Sequence, residues 1–358
     1  MHGAKIAISA GIPYLYPGIL LCRMDNNTSI FFAVLRAGLW EREVRLDAAP
    51  SAADWQQVLQ TARAQAVLGL VYRGMTRLPQ EQLPPGAERL RLLADVDRLE
   101  RGGQALVAAQ ATLLARFAAA GLHPTVQKGT EAAKYYAQPA HREAGDIDLY
   151  FPAGEFGRAA ELVAGYGPRT APDSSLVYQY EGITVEHHTR YFDLHVRAER
   201  LPEVPSVVAE LVMLSAHILK HAIGEGVGCK QLCDMARALD RTEGSYDKTA
   251  LRGTLRACGM LRWHRLLCSL LVSDLGLEPA RCLPDFRPCD PSPLRRIVLR
   301  GGAFGFADPT RVQAARRGPA ARKLHAAGAF LRRLPFSLRI APRETLATLA
   351  ELVRGNFA

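Results

Sequence analysis

The run Gly145-Asp146-Ile147-Asp148-Leu149-Tyr150-Phe151 alternates polar and apolar residues, and that alternation constrains the fold more than any other stretch. At the two-residue period of an extended chain, Ile147 and Leu149 face one side while Asp146, Asp148 and Tyr150 face the other. The spacing predicts a strand over 146–151 with one buried and one polar face. Two carboxylates that close together repel each other unless a cation sits between them. A divalent metal accounts for the pair; a solvent-facing edge strand with two harmless acids is the alternative. The D-x-D by itself does not separate the two.

The neighbouring sequence extends the pattern. His123–Lys128 reads as a short strand leading into Gly129, Thr130–Ala137 as a helix, and Glu155–Ala164 as another. Ser175–Tyr180 and Ile183–Thr189 flank Glu181-Gly182 and predict a hairpin. In its second arm Thr184, Glu186 and His188 share one face, and Ile183, Val185 and His187 the other. His187 is expected to point inward as a structural histidine.

On either side of this segment the chain reads as helix. Asn27-Thr28-Ser29 offers caps before Ile30, Phe31, Val34 and Leu35. Asp54–Tyr72 repeats an apolar face, and Ala87–Ala120 reads as a long helix with Gly102-Gly103 as a candidate break. After Pro205, helices are predicted at about 205–223, 229–241, 247–258 and 261–276. A Pro- and Arg-rich connector, Pro279–Pro293, precedes a last helical region. The whole is an α+β chain: a helical region over 27–121, a small-sheet core over 122–200, a helical domain over 201–290 and a basic helical region over 291–358.

Lys128-Gly129-Thr130 sits at a strand-to-helix turn shortly before the acid pair. A glycine there lets backbone N–H groups approach a phosphate. Glu186 supplies a third acid on the polar face of a later strand. Three carboxylates facing such a turn form the layout for metal-assisted phosphoryl transfer. Arg142 is a candidate fork donor to phosphate oxygens. Lysine is scarce, seven against 38 arginines, which suggests that Lys128 is used for its compact ammonium near a phosphate. His217 and His221 stand at i and i+4 on a predicted helix, but Ile218 leaves no metalloprotease base beside them. That face, with Lys220, either turns toward bound phosphates or packs against Asp234 or solvent. His188 shares the face of Glu186 and is a further candidate lining residue. Asp193 and His195 receive no role.

At these residues the chain resembles the uncharacterised nucleotidyltransferase-like family of the DNA polymerase beta-type nucleotidyltransferase superfamily. The resemblance rests on the strand ending in Lys128-Gly129, on Tyr136, Pro139 and Arg142, and on the Gly-Asp-Ile-Asp-Leu run. It continues through Val185-Glu186-His187-His188, His217-Ile218-Leu219-Lys220-His221 and Leu232-Cys233-Asp234, spanning roughly 27–275. It implies a mixed sheet flanked by helices, with Asp146, Asp148 and Glu186 as catalytic metal ligands for Mg²⁺ or Mn²⁺. Lys128, Gly129 and Thr130 then match the superfamily's Gly-Ser turn, and His217, Lys220 and His221 face the nucleotide. Thr130 replaces the commoner Ser, and the gap from Gly129 to Asp146 is longer than usual in the superfamily. The expected activity is transfer of a nucleoside monophosphate from an NTP, ATP among them, to an unidentified hydroxyl acceptor. The alternative is a non-catalytic nucleotide- or RNA-binding module on the same fold.

The formal charge of +10 is unevenly spread. Arg311–Arg343 contains nine Lys or Arg and no acid, so the remainder is close to neutral. This segment could attract an anionic partner, RNA or a membrane surface, with Leu324–Leu334 as an amphipathic stretch; a solvated set of helix faces is the plainer reading. Seven cysteines without a C-x-x-C pair fit reduced thiols in a cytoplasmic protein. Ile6–Cys22 is apolar but broken by Pro13 and Pro17, too short and interrupted for a membrane span or a clean signal peptide. Residues 1–26 are expected to be a disordered or mis-called extension, with Met24 as the natural start.

Overall fold

The computed structural model describes residues 24–353 apart from 153, 172–173, 197, 225 and 306–307; the expectation about residues 1–26 lies outside them as far as residue 23, while Asp25 caps the first helix and Asn26 opens it. Among the described residues there are fourteen α-helices and one five-stranded sheet, an α+β architecture. The chain opens with α1 (Asn26–Trp40), α2 (Ala52–Ala64), α3 (Leu68–Met75) and the long α4 (Gly86–Ala119). The sheet segment follows: β1 (Thr125–Gln127), α5 (Gly129–Ala133), β2 (Asp146–Tyr150), α6 (Phe156–Leu162), β3 (Arg169–Thr170), β4 (Leu176–Tyr180) and β5 (Ile183–His188). Then come α7 (Val207–Ile223), α8 (Cys229–Arg241), α9 (Lys248–Ala257) and α10 (Leu261–Leu275). The chain continues with α11 (Ser292–Gly301), α12 (Pro309–Arg316), α13 (Pro319–Ile340) and α14 (Pro342–Val353).

The strands lie in the order β1-β2-β5-β4-β3. β2 and β5 are parallel and every other pair is antiparallel, so the sheet is mixed. The hairpin forms at its predicted place, with Glu181 at φ 51° and Gly182 at φ 79°. Two successive left-handed residues give the turn whose twist matches paired strands.

One sheet face is apolar. Ile147, Leu149 and Val185 are buried against Leu106, Leu113 and Phe117 of α4 and Ala159 of α6. His187 lies on this face with no solvent exposure, among the rings of Phe117, Phe151 and Tyr178. The larger core joins α1–α3 to α7, α8 and α10. Where α1 meets α3 there is no room for side chains: a Cβ on Gly38 would lie 1.9 Å from the Leu70 carbonyl oxygen, and one on Gly74 1.9 Å from that of Val34.

Several predicted elements need correction. The helix expected over Asp54–Tyr72 is two helices, because Ala66 takes φ 52° between them. The buried Gln65 side chain holds that break, donating to the Val298 carbonyl and accepting from the Cys229 amide. The break expected at Gly102-Gly103 does not occur. A Cβ at either glycine would meet nothing within 4 Å, and α4 runs through them, anchored by the apolar contacts of Leu92, Val96 and Leu106. The helix expected over Thr130–Ala137 ends at Ala133, and β1 is only three residues long.

Candidate active site

The polar sheet face points into a pocket whose opposite wall comes from α7 and α8. β2 supplies Asp146 and Asp148, β5 supplies Glu186 and His188, the turn after β1 supplies Lys128 and Gly129, and Arg142 contributes from the loop before β2. Across the gap stand Asp193, His217, Lys220, His221, Lys230 and Asp234. Parallel pairing of β2 with β5 sets Asp148 directly opposite Glu186, although 38 positions separate them in the chain.

The carboxylates are crowded and only partly compensated. Asp148 Oδ1 accepts from His188 Nε2 at 2.7 Å and lies 3.4 Å from the Lys128 ammonium. His188 Nε2 is also 3.7 Å from Glu186 Oε2. Asp148, Glu186 and His188 each offer one ligand atom, all within 4.8 Å of one another, a spacing at which one metal ion could be shared. Asp146 lines the same pocket but stands outside that close group.

Their protonation follows from these contacts. Burial works to raise the Asp148 pKa, but the Lys128 ammonium and the His188 hydrogen bond outweigh it, and the carboxyl is held well below its ordinary value. Asp146 and Glu186 move the other way: burial, then the neighbouring Asp148 charge, raises both. The group therefore lacks positive charge, which is the condition a bound cation relieves. Burial also opposes the Lys128 charge, yet Asp148, Asp193, Asp146 and Glu186 together raise its pKa.

The Lys128-Gly129 turn holds positive φ at both residues. Gly129 has φ 30°, and a Cβ there would lie 3.4 Å from the Asp146 carbonyl oxygen. Lys128 itself holds φ 50°, a left-handed conformation rare for a long side chain. Thr130 does not line the pocket; its hydroxyl donates to Gln110 on α4. Arg142 is likewise committed elsewhere. Its Nε and Nη2 grip Asp234 at 3.0 and 2.6 Å, and the Tyr136 hydroxyl donates to Asp234 at 2.7 Å. Those two donors of the fork expected for phosphate are thus taken by a buried carboxylate.

On the far wall Asp193 organises the histidine face. His217 Nδ1 donates to it at 3.1 Å and Lys220 at 3.0 Å, and the rings of His217 and His221 meet edge to face at 4.4 Å. Burial and the nearby Lys128 charge push His217 down to about 4, although the Asp193 hydrogen bond opposes them. His217 is therefore a neutral donor to a charged Asp193.

Asp193 and Lys230 line the pocket without having been assigned by the sequence. The scarcity of lysine was the available signal: three of the seven, Lys128, Lys220 and Lys230, line this pocket. His195, two residues past Asp193, faces away and sits between Glu344 (2.8 Å) and Glu351 (3.0 Å) of α14. The cysteines among the described residues are free thiols, and no helix among them is long and apolar enough to cross a membrane.

Residues 51–274, well over half the chain, match a family described as "Uncharacterised nucleotidyltransferase". No curated protein and no solved structure matches the chain significantly.

Proposed function

The chain belongs to this uncharacterised nucleotidyltransferase family, and from that premise we propose that it transfers a nucleoside monophosphate from a nucleoside triphosphate to a hydroxyl acceptor in the pocket between β2/β5 and α7/α8. One observation carries the reading: Asp148 and Glu186 oppose each other in register, beside Asp146 and against the Lys128 turn. Paired carboxylate oxygens with uncompensated charge suit a hard divalent cation. Asp148 and Glu186 would hold Mg²⁺ or Mn²⁺, with Asp146 adjoining. Such an ion supplies neutralisation of phosphate charge and a more acidic acceptor hydroxyl.

The side chains do the remainder. The acceptor oxygen forms a bond to the α-phosphorus as the bond to the bridging oxygen breaks, and pyrophosphate leaves with that electron pair. The hydroxyl proton passes to a pocket carboxylate, for which Asp146, adjoining the pair that would hold the cation, is placed. Lys128 and Gly129 meet the departing phosphates on one side, with Lys220, Lys230, His217 and His221 on the other. Arg142 acts mainly by fixing Asp234, and Thr130 by tying its turn to α4.

The test is incubation with each labelled NTP, Mg²⁺ or Mn²⁺ and a cell extract, followed by a search for a labelled acceptor. Asp146→Ala and Glu186→Ala proteins run in parallel should lose the label while keeping their fold. Labelling that survives Glu186→Ala would refute the site.

A further inference from the structure

The C-terminal helices carry an apolar surface that neither the core nor the pocket uses. Among the described residues nine large apolar side chains are exposed, and six of them, Val312, Leu324, Leu331, Leu338, Leu346 and Val353, fall in α12–α14. Isolated exposed leucines need no explanation, but these are ordered. Leu324, Leu331 and Leu338 follow one another at seven residues along α13, so they line one side of it at two-turn spacing. They are 76%, 51% and 37% exposed. The other side of α13 already packs inward through Ala326, Ala329, Phe330 and Ile340, all buried. One apolar face is enough to dock a helix on its own protein, so the outer ridge is surplus to folding.

The charges beside the ridge indicate what covers it. Arg332 and Arg339 each follow a ridge leucine by one position and are exposed, as are Arg316, Arg317 and Arg343. Residues 309–343 contain no Asp or Glu. Leucines flanked by arginines are the composition of a helix lying in a bilayer interface, where apolar burial and attraction to anionic headgroups add. Two other occupants fit less well. A second copy docking ridge to ridge would bring arginine rows together with no acid in residues 309–343 to pair with them. Single-stranded nucleic acid is held by stacking on exposed aromatic rings, and this ridge is aliphatic.

We propose that α13, with the adjoining parts of α12 and α14, docks this protein onto an anionic phospholipid surface. The docking is peripheral and separate from the chemistry of the pocket.

The experiment is sedimentation of the full-length protein with vesicles of phosphatidylcholine alone or mixed with phosphatidylglycerol. The protein should pellet with the mixed vesicles and stay in solution with the neutral ones. Arg332→Gln and Arg339→Gln should each weaken binding about fivefold. Leu324→Ser/Leu331→Ser, at positions that touch water in the free protein, should weaken it at least about tenfold while leaving thermal unfolding unchanged. Protein that remains in solution with both vesicles overturns the proposal, as does binding indifferent to the leucine changes. Retention of a labelled RNA that depends on the arginines but not the leucines would assign the surface to nucleic acid instead. A dimer that becomes a monomer in the leucine variant would assign it to a second copy. Either result overturns lipid docking.

Discussion

Replacing Asp234 by Ala should unfold this protein more readily than almost any other single change at the pocket. Arg142 and Asp234 are 5% and 3% exposed at their side chains, and the guanidinium makes two short bonds to the carboxylate. Removing the acid leaves a positive charge buried without its partner, which costs about 3–5 kcal/mol. The Tyr136 hydroxyl also loses its acceptor, adding about 1–2 kcal/mol. The expected loss is about 4–7 kcal/mol, large against the roughly 5–15 kcal/mol that stabilises a typical domain. Urea unfolding followed by tryptophan fluorescence reads it as a fall in midpoint. The companion variant decides the cause. Arg142→Met/Asp234→Leu removes both charges and should recover most of the loss, because a buried ion pair exchanged for apolar groups of similar size is often neutral or better. An Asp234→Ala cost below about 1 kcal/mol, or a double variant as unstable as the single, would refute the argument that an uncompensated charge dominates.

His195 should give stability a basic limb. The Glu344 hydrogen bond raises its pKa against the effect of burial, so its contribution is complete below the unfolded value near 6.5 and is lost as pH climbs through the folded value. The difference in melting temperature between wild type and His195→Gln should shrink as pH rises; a constant difference would contradict this. His187 should act at the acid end, because burial, with a smaller push from His188, lowers it to about 3. The folded state resists its protonation while the unfolded state accepts it below about 6.5, costing about 2–3 kcal/mol by about pH 4.5. His187→Phe should flatten that decline, and an unchanged acid limb would count against it. Two glycines should respond oppositely. Gly74→Ala drives a methyl into the Val34 carbonyl and should cost at least about 2 kcal/mol, whereas Gly102→Ala meets nothing and should gain up to about 1 kcal/mol in the same urea assay.

Local periodicity carried most of what the sequence revealed. The hairpin around Glu181-Gly182 and the limits of α7–α10 were legible because they depend on neighbours a few residues away. The direction of Asp146, Asp148, Glu186 and His188 was legible because strand alternation assigns faces. What alternation cannot supply is which strands pair. The opposition of Asp148 and Glu186 depends on β5 adding beside β2, and the β4–β5 hairpin by itself would not require it. The fates of Arg142 and Asp193 were hidden for a similar reason: their partners Asp234, His217 and Lys220 come from helices beyond the sheet segment. The break at Gln65–Val67 was equally illegible, since a buried amide reaching Val298 and Cys229 imposes it from a distance.

The last helices reach back to the walls of the pocket. From α13, Arg333 donates to the carbonyl of Gly224, just past the turn of α7 that holds Lys220 and His221. From α14, Glu344 accepts from the backbone amide of His195, two residues from Asp193. Both struts originate beyond residue 274, where the family match ends. A fragment trimmed to the matched residues would keep every pocket side chain yet lose the buttresses behind its histidine wall.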